Sequence, residues 1–144
     1  MSNSNRVLVG VDGTPGAQTA LKWAVTQASR TGAEILAVHV LTYSRELAND
    51  LSPKGMTSWR RRQHEAFETT WTEPLHDSGV PFRSIVTEDD HVDGGLLRVA
   101  EEEDVDLIVV GAHGSGGWVD RVLGSVAYKV AHRSHRPVVI IPEA

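Results

Sequence analysis

Five short apolar runs, rich in valine and isoleucine and separated by stretches of helical periodicity, constrain this chain more than any other feature. They are RVLVGV (6–11), EILAVHVL (34–41), FRSIV (82–86), DLIVVG (106–111) and PVVIIP (137–142). Most are continuous rather than alternating, which suits strands covered on both faces, as in a parallel sheet. Between the first two, Ala17, Ala20, Leu21, Ala24, Val25 and Ala28 repeat at the spacing of one helix face, with Thr14 as N-cap, Pro15 at the first helical position and Gly32 at the far end. Phe67, Trp71 and Leu75 predict a helix within 56–78 that Pro74 is expected to kink or shorten. Leu96, Leu97 and Ala100 mark a shorter helix running out in EEED, and Leu123, Val126, Ala127, Val130 and Ala131 predict a last helix ending before Pro137. Residues 42–55 read as the one long surface loop.

Strand and helix alternating through five strands predict an α/β fold, an open five-stranded parallel sheet with helices on both faces and right-handed crossovers. At 144 residues the length suits one domain, 1–144, with a core that needs no staples. Ligands of such sheets sit outside the carboxyl ends of the strands, where the strand order reverses. Two stretches fall there: VDGT after the first strand and GAHGSGGWVDRVLGS, residues 111–125, after the fourth.

The second stretch packs five glycines and two serines into its fifteen positions. A glycine leaving a strand takes backbone angles closed to other residues and leaves room for a phosphate to approach. Gly124 and Ser125 open the last helix, whose free N–H groups and positive dipole end make an anion site. His113 lies inside the glycine loop and is the histidine expected near a ligand, whereas His39 reads as a core or pocket-edge residue. The competing reading is a long flexible turn, with Ser125 as an N-cap only. For Asp12, a carboxylate repels phosphate and so is expected to face hydroxyls or an exocyclic amine; the alternative is that it caps the turn that follows.

The spacing Gly111, two residues, Gly114, nine residues, Gly124, Ser125, together with VGVDGT, the AVHVL strand and the closing RPVVIIP, resembles the ATP-binding branch of the universal stress protein family across essentially the whole chain. The resemblance implies a Rossmann-like, adenine nucleotide alpha-hydrolase-like fold and ATP as ligand, with or without magnesium. Asp12 would then meet the adenine and ribose end, Val11 and Val40 would line the adenine pocket, and Gly111, Gly114, Gly124, Ser125 and Val126 would hold ribose and phosphates. The chain departs from the family pattern after the third strand, where it reads TEDDHVDGG, acidic and without proline. Carboxylates there would disfavour a triphosphate if they border the pocket, unless a divalent cation screens them.

Other classes fit less well. The formal net charge of -5 works against nucleic-acid binding, which depends on clustered Lys and Arg; the run Arg60–Arg62 reads as a solvated helix face. The absence of cysteine removes disulfides and thiolate metal sites. The opening MSNSNRVLVGVDG lacks the basic and cleavage features of a signal peptide, and no stretch reaches the roughly 20 apolar residues of a membrane helix, so a cytoplasmic protein without membrane contact is expected. His132 and His135 are three apart but lack further ligands, so no metal is assigned. His113, Asp120 and Arg121 stand at no recognised catalytic spacing and there is no Walker sequence, so no catalytic residue is assigned and any ATP hydrolysis is expected to be slow. Nucleotide binding sensed by a partner, as a stress-response sensor or regulator, is the leading expectation. The alternatives are AMP or cyclic AMP as ligand, a nucleotide-free dimerisation module, and a phosphoacceptor receiver domain, which lacks the Lys expected near the fifth strand. The final apolar strand leaves an edge open to pairing, and the resemblance implies a homodimer through it.

Overall fold

The β-branched runs take the strand positions, and the amphipathic stretches between them cover the two faces of the resulting sheet. The computed structural model describes residues 5–42, 51–113 and 123–143. In chain order the elements are β1 (Arg6–Gly10), α1 (Pro15–Thr31), β2 (Glu34–Leu41), α2 (Pro53–Ala66), a π turn (Phe67–Trp71), α3 (Glu73–His76), β3 (Phe82–Glu88), α4 (Val92–Glu102), β4 (Leu107–Gly111), α5 (Ser125–Arg133) and β5 (Val138–Ile141). All strand pairs are parallel and the order is β3-β2-β1-β4-β5. β1 is central: Leu8 pairs with Leu36 on one side and Ile108 on the other. The order therefore reverses between β1 and β4, which opens a crevice beyond their carboxyl ends.

One face of the sheet packs against α1, the π segment and α3, through Ala20, Leu21, Ala24, Phe67 and Leu75; the other packs against α4 and α5, through Leu96, Val99, Ala127 and Val130. α1 has the predicted punctuation. The hydroxyl of Thr14 accepts from the Ala17 N–H, Pro15 starts the helix, and Gly32 closes it at φ 77° with its N–H on Ala28 O. That left-handed φ favours glycine.

Three expectations need correction. The loop predicted over 42–55 ends early, because Ser52 caps α2 by accepting from Gly55 N at 3.0 Å and Pro53 is the first helical residue; residues 43–50 lie outside the described part. The helix predicted within 56–78 is split by the π turn, after which Pro74 sits in the first turn of the short α3. Phe67 and Leu75 are buried as the stripe requires, and Trp71 is half-buried. In α5 only Ala127 and Val130 of the predicted stripe are fully buried, Val126 is partly so, and Leu123 and Ala131 are exposed, because the helix is only nine residues long and its stripe is correspondingly short. Among the described residues no helix is long and apolar enough to cross a membrane.

Candidate functional site

Beyond the ends of β1 and β4 lies a cavity of ≈ 160 Å³ whose walls come from six places: the end of β1 and the turn after it, the start of α1, the end of β2, the start of α4, the end of β4 with the residues after it, and the start of α5. Most of the lining is aliphatic, including Val38, Val40, Leu96, Val110 and Ala127, and the polar groups are few: Asp12, Thr14, His39 and His113. A largely apolar hollow with a few convergent polar groups is the usual make-up of a small-molecule site.

The turn that leaves β1 is tightly determined. Oδ1 of Asp12 accepts from the backbone N–H of Thr14 at 2.9 Å and from its hydroxyl at 2.6 Å. The Thr14 oxygen in turn accepts from Ala17 N at 3.3 Å, which caps α1. Gly13 between them has φ 82°, and a side chain there would meet the indole of Trp71 at 2.4 Å. The turn-capping role of Asp12 is thus realised, through Oδ1, in a residue that is exposed and lines the cavity.

Gly111 closes β4 for a different reason from the one its sequence context suggested. Its backbone angles are not in the left-handed region. A Cβ on it would instead lie 2.7 Å from the backbone of Gly16, and a Cβ on Gly16 would lie 2.4 Å from the carbonyl of His113. Both glycines let the first turn of α1 lie directly on the strand end, which sets the depth of the crevice. Gly16 was missed by the sequence reading, although its place one residue after a helix-starting proline, facing the sheet, was a usable signal.

At the opposite wall, Gly124 is the N-cap of α5, with its N–H on Ala112 O at 2.7 Å, and no side chain caps the helix. Ser125 is therefore the first helical residue and not the N-cap. The N–H groups of the first helical turn have no intrahelical partner, and Val126 and Ala127 of that turn line the cavity. Of the residues singled out in the sequence, Val11, Asp12, Val40, Gly111, His113 and Val126 line this one cavity, Gly124 and Ser125 adjoin it in the chain, and Gly114 lies outside the described residues. Asp120 and Arg121 do so as well.

The acidic segment after β3 does not set carboxylates along the cavity. Its contribution to the lining is Val92. Glu88 pairs with Arg60 at 3.2 Å, and Asp93, which is 3% exposed, pairs with Arg133 at 3.0 Å. Asp89 accepts from the N–H of His91 and from the Arg98 guanidinium, which together hold its carboxyl below the ordinary range. With each of these acids engaged by an arginine, the segment does not assemble the acid cluster of a phosphoacceptor site. Among the described residues no three metal-ligating side chains converge; His132 stacks on Tyr128 and His135 faces Glu101 at 3.6 Å.

His39 is the one buried histidine. Its Nδ1 lies 2.9 Å from Val11 O, and its ring packs on Phe67 and, edge-on, against Trp71 at centroid distances of 5.7 and 5.0 Å. Burial pushes its imidazole below the ordinary 6.5. It also borders a second hollow of ≈ 210 Å³ that shares Asp12, Thr14, Val40 and Val92 with the first and extends to Trp59 and Gln63 of α2.

The family model described as the universal stress protein family matches residues 3–142. A universal stress protein of Mycolicibacterium smegmatis is 31% identical over 94% of this chain and 45% of its own length. Universal stress protein YxiE of Bacillus subtilis is 30% identical over 95% of this chain and 98% of its own. The chain thus spans about half the length of the mycobacterial relatives it matches. Among solved structures, the protein MJ0577 superposes with a TM-score of 0.82 at 23% identity over 99% of each chain. A universal stress protein in complex with cAMP gives 0.67 at 23% identity over 99% of this chain and all of that one. One from Arabidopsis thaliana with AMP bound gives 0.70 at 18% identity over 97% of this chain and 92% of that one.

Proposed function

This chain belongs to the universal stress protein family, and on that premise we propose that its crevice binds an adenine nucleotide, with ATP as the first candidate, and that the bound state is what a partner senses. The carrying observation is that Asp12 and the uncapped first turn of α5 line the same cavity with an aliphatic floor between them. A nucleotide has the matching order of parts. Its base is flat and apolar, with a polar rim that Val11 and Val40 flank in this reading; its ribose hydroxyls suit the Asp12 carboxylate; its phosphates suit the open N–H groups and positive end of α5 at Gly124, Ser125 and Val126. Gly111, Gly114 and His113 would complete the phosphate side. The solved relatives with cAMP and AMP bound support an adenine nucleotide as the ligand class, and a triphosphate is compatible with a cavity to whose lining the acidic segment after β3 contributes Val92 and no carboxylate. A magnesium ion would be held by the phosphates, since no cluster of protein ligands is present among the described residues.

Turnover is a minor part of this reading. Hydrolysis needs both a positioned base and a charge-stabilising cation, and no Lys or Arg is among the described residues that line the cavity. A sensor or regulator role in stress response, as one domain over 1–144 acting as a cytoplasmic homodimer, follows from the family and remains part of the proposal.

The test is to denature the purified protein, identify any released nucleotide by mass spectrometry, and titrate that nucleotide into wild type and Val126→Trp, whose ring would fill the crevice. Released adenine nucleotide, with binding abolished in the variant, is the expected result, and it names the ligand as ATP, AMP or cyclic AMP. If nothing is released and adding ATP with magnesium produces no heat, the reading fails and the crevice serves an interaction module.

A further inference from the structure

The second hollow, of ≈ 210 Å³, is joined to the crevice on one side. The two share Asp12, Thr14, His39, Val40 and Val92. Val110, Gly111, His113, Val126 and Ala127 line the crevice alone, and among the described residues no wall of the second hollow comes from β4 or α5. The hollows therefore meet beyond the ends of β1 and β2 and diverge from there. The crevice runs toward β4 and the start of α5, while its neighbour runs along Leu41 and Thr42 to Trp59 and Gln63 of α2.

The walls of this second hollow suit a flat, mostly apolar group. Val40, Leu41 and Val92 are aliphatic, Trp59 offers an indole, and Thr42 and Gln63 supply a polar rim. Trp59 belongs to a stripe spaced by four, with Gln63, Phe67 and Trp71. Phe67 and Trp71 pack against the His39 ring of β2. Two turns earlier along the same face, Trp59 is only half-buried, and α2 has no fully buried residue at all. A large aromatic side chain kept half-covered at a cavity wall gains from any apolar surface laid against it.

We propose that this hollow is an annex of the nucleotide site that takes an apolar or aromatic group carried by the base, so that the ligand class of the chain extends to base-substituted adenine nucleotides. The proposal rests on the reading of the crevice with the base at Val11 and Val40 and the phosphates at the start of α5. In that pose a group joined through the phosphates leaves past Gly124, Ser125 and Val126, at the end of the crevice that the annex does not reach. A group on the ribose takes the place of a hydroxyl that Asp12 would bond. A group on the base avoids both conflicts and enters between Val40, Val92 and Trp59.

The experiment is calorimetric titration of AMP and N6-benzyl-AMP into wild type, Trp59→Ala and Thr42→Trp. Neither residue lines the crevice itself, so retained AMP binding reports that each variant is folded. Wild type should bind the benzyl nucleotide about threefold to tenfold more tightly than AMP, the range that one added aromatic contact supplies. Trp59→Ala should lose that gain with AMP little changed, and Thr42→Trp, whose ring fills the annex, should bind AMP while rejecting the benzyl compound. Equal or weaker binding of the benzyl nucleotide by wild type, or a gain that survives in Trp59→Ala, overturns the annex and leaves the nucleotide reading standing. Failure of wild type to bind either nucleotide overturns both.

Discussion

At the scale of single residues, His39 ties stability to pH. The folded protein holds its imidazole below the ordinary 6.5, chiefly through burial, with the Val11 hydrogen bond opposing. The unfolded chain therefore takes up a proton that the folded chain refuses. The stability contributed by neutral His39 is complete above about pH 6.5 and is lost as pH falls from there through the lowered folded value. Urea midpoints measured at about pH 7.5 and 5.5 should fall on the acid side, and the fall should shrink in His39→Gln, whose amide can still donate toward Val11 O. An identical acid loss in the variant would assign the effect to the exposed histidines. This part of the molecule was only partly legible in the sequence: His39 was recognisable as a pocket-edge residue, but its tautomer depends on a carbonyl twenty-eight positions away. The close contact of Gly111 with Gly16 was not legible, because its partner comes from another element, and the unusual backbone angles expected of it are absent.

At the scale of elements, legibility followed local signal. The ends of α1 were readable because a cap, a proline and a C-terminal glycine each act within a few residues. The inner strands β1, β2 and β4 were readable because burial on both faces leaves mostly apolar side chains. The break after Ala66 was not, since Phe67, Trp71 and Leu75 keep the spacing of an unbroken helix while the backbone inserts a π turn between them. What stabilises the break is Thr72, fully buried, whose hydroxyl donates to Phe67 O at 2.7 Å and lies 3.1 Å from His76 Nε2. The π turn supplies the aromatic wall against His39 and Gly13, so its stability bears on the site. Thr72→Val keeps the shape and removes the hydroxyl, leaving a buried carbonyl without that partner. A loss of about 1–3 kcal/mol in unfolding free energy is expected, read from denaturant midpoints at unchanged slope. A loss near zero would mean that water or a backbone shift replaces the bond.

At the scale of the whole molecule, the two edges of the sheet differ in a way that bears on assembly. β3 is guarded by charge: Arg83 reaches Glu34 and Glu103, and Glu88 reaches Arg60. Charged side chains along an edge discourage pairing with another chain. β5 has no such guard in its four residues, Val138–Ile141, and the first three remain half-buried although only β4 pairs with them. Half-covered valine and isoleucine on an edge without charge is a surface with something to gain from a second copy, since burying apolar area stabilises association by about 25 cal/mol per Å² before the costs of association. Sedimentation equilibrium at micromolar concentration should therefore give a mass of two 15.7 kDa chains. Ile140→Lys, which places an ammonium on β5, should shift the mass to one chain while the far-ultraviolet spectrum keeps its α/β shape. A monomeric wild type would show that the bare edge of β5 is covered in some other way, and a dimeric Ile140→Lys would place the interface elsewhere on the molecule.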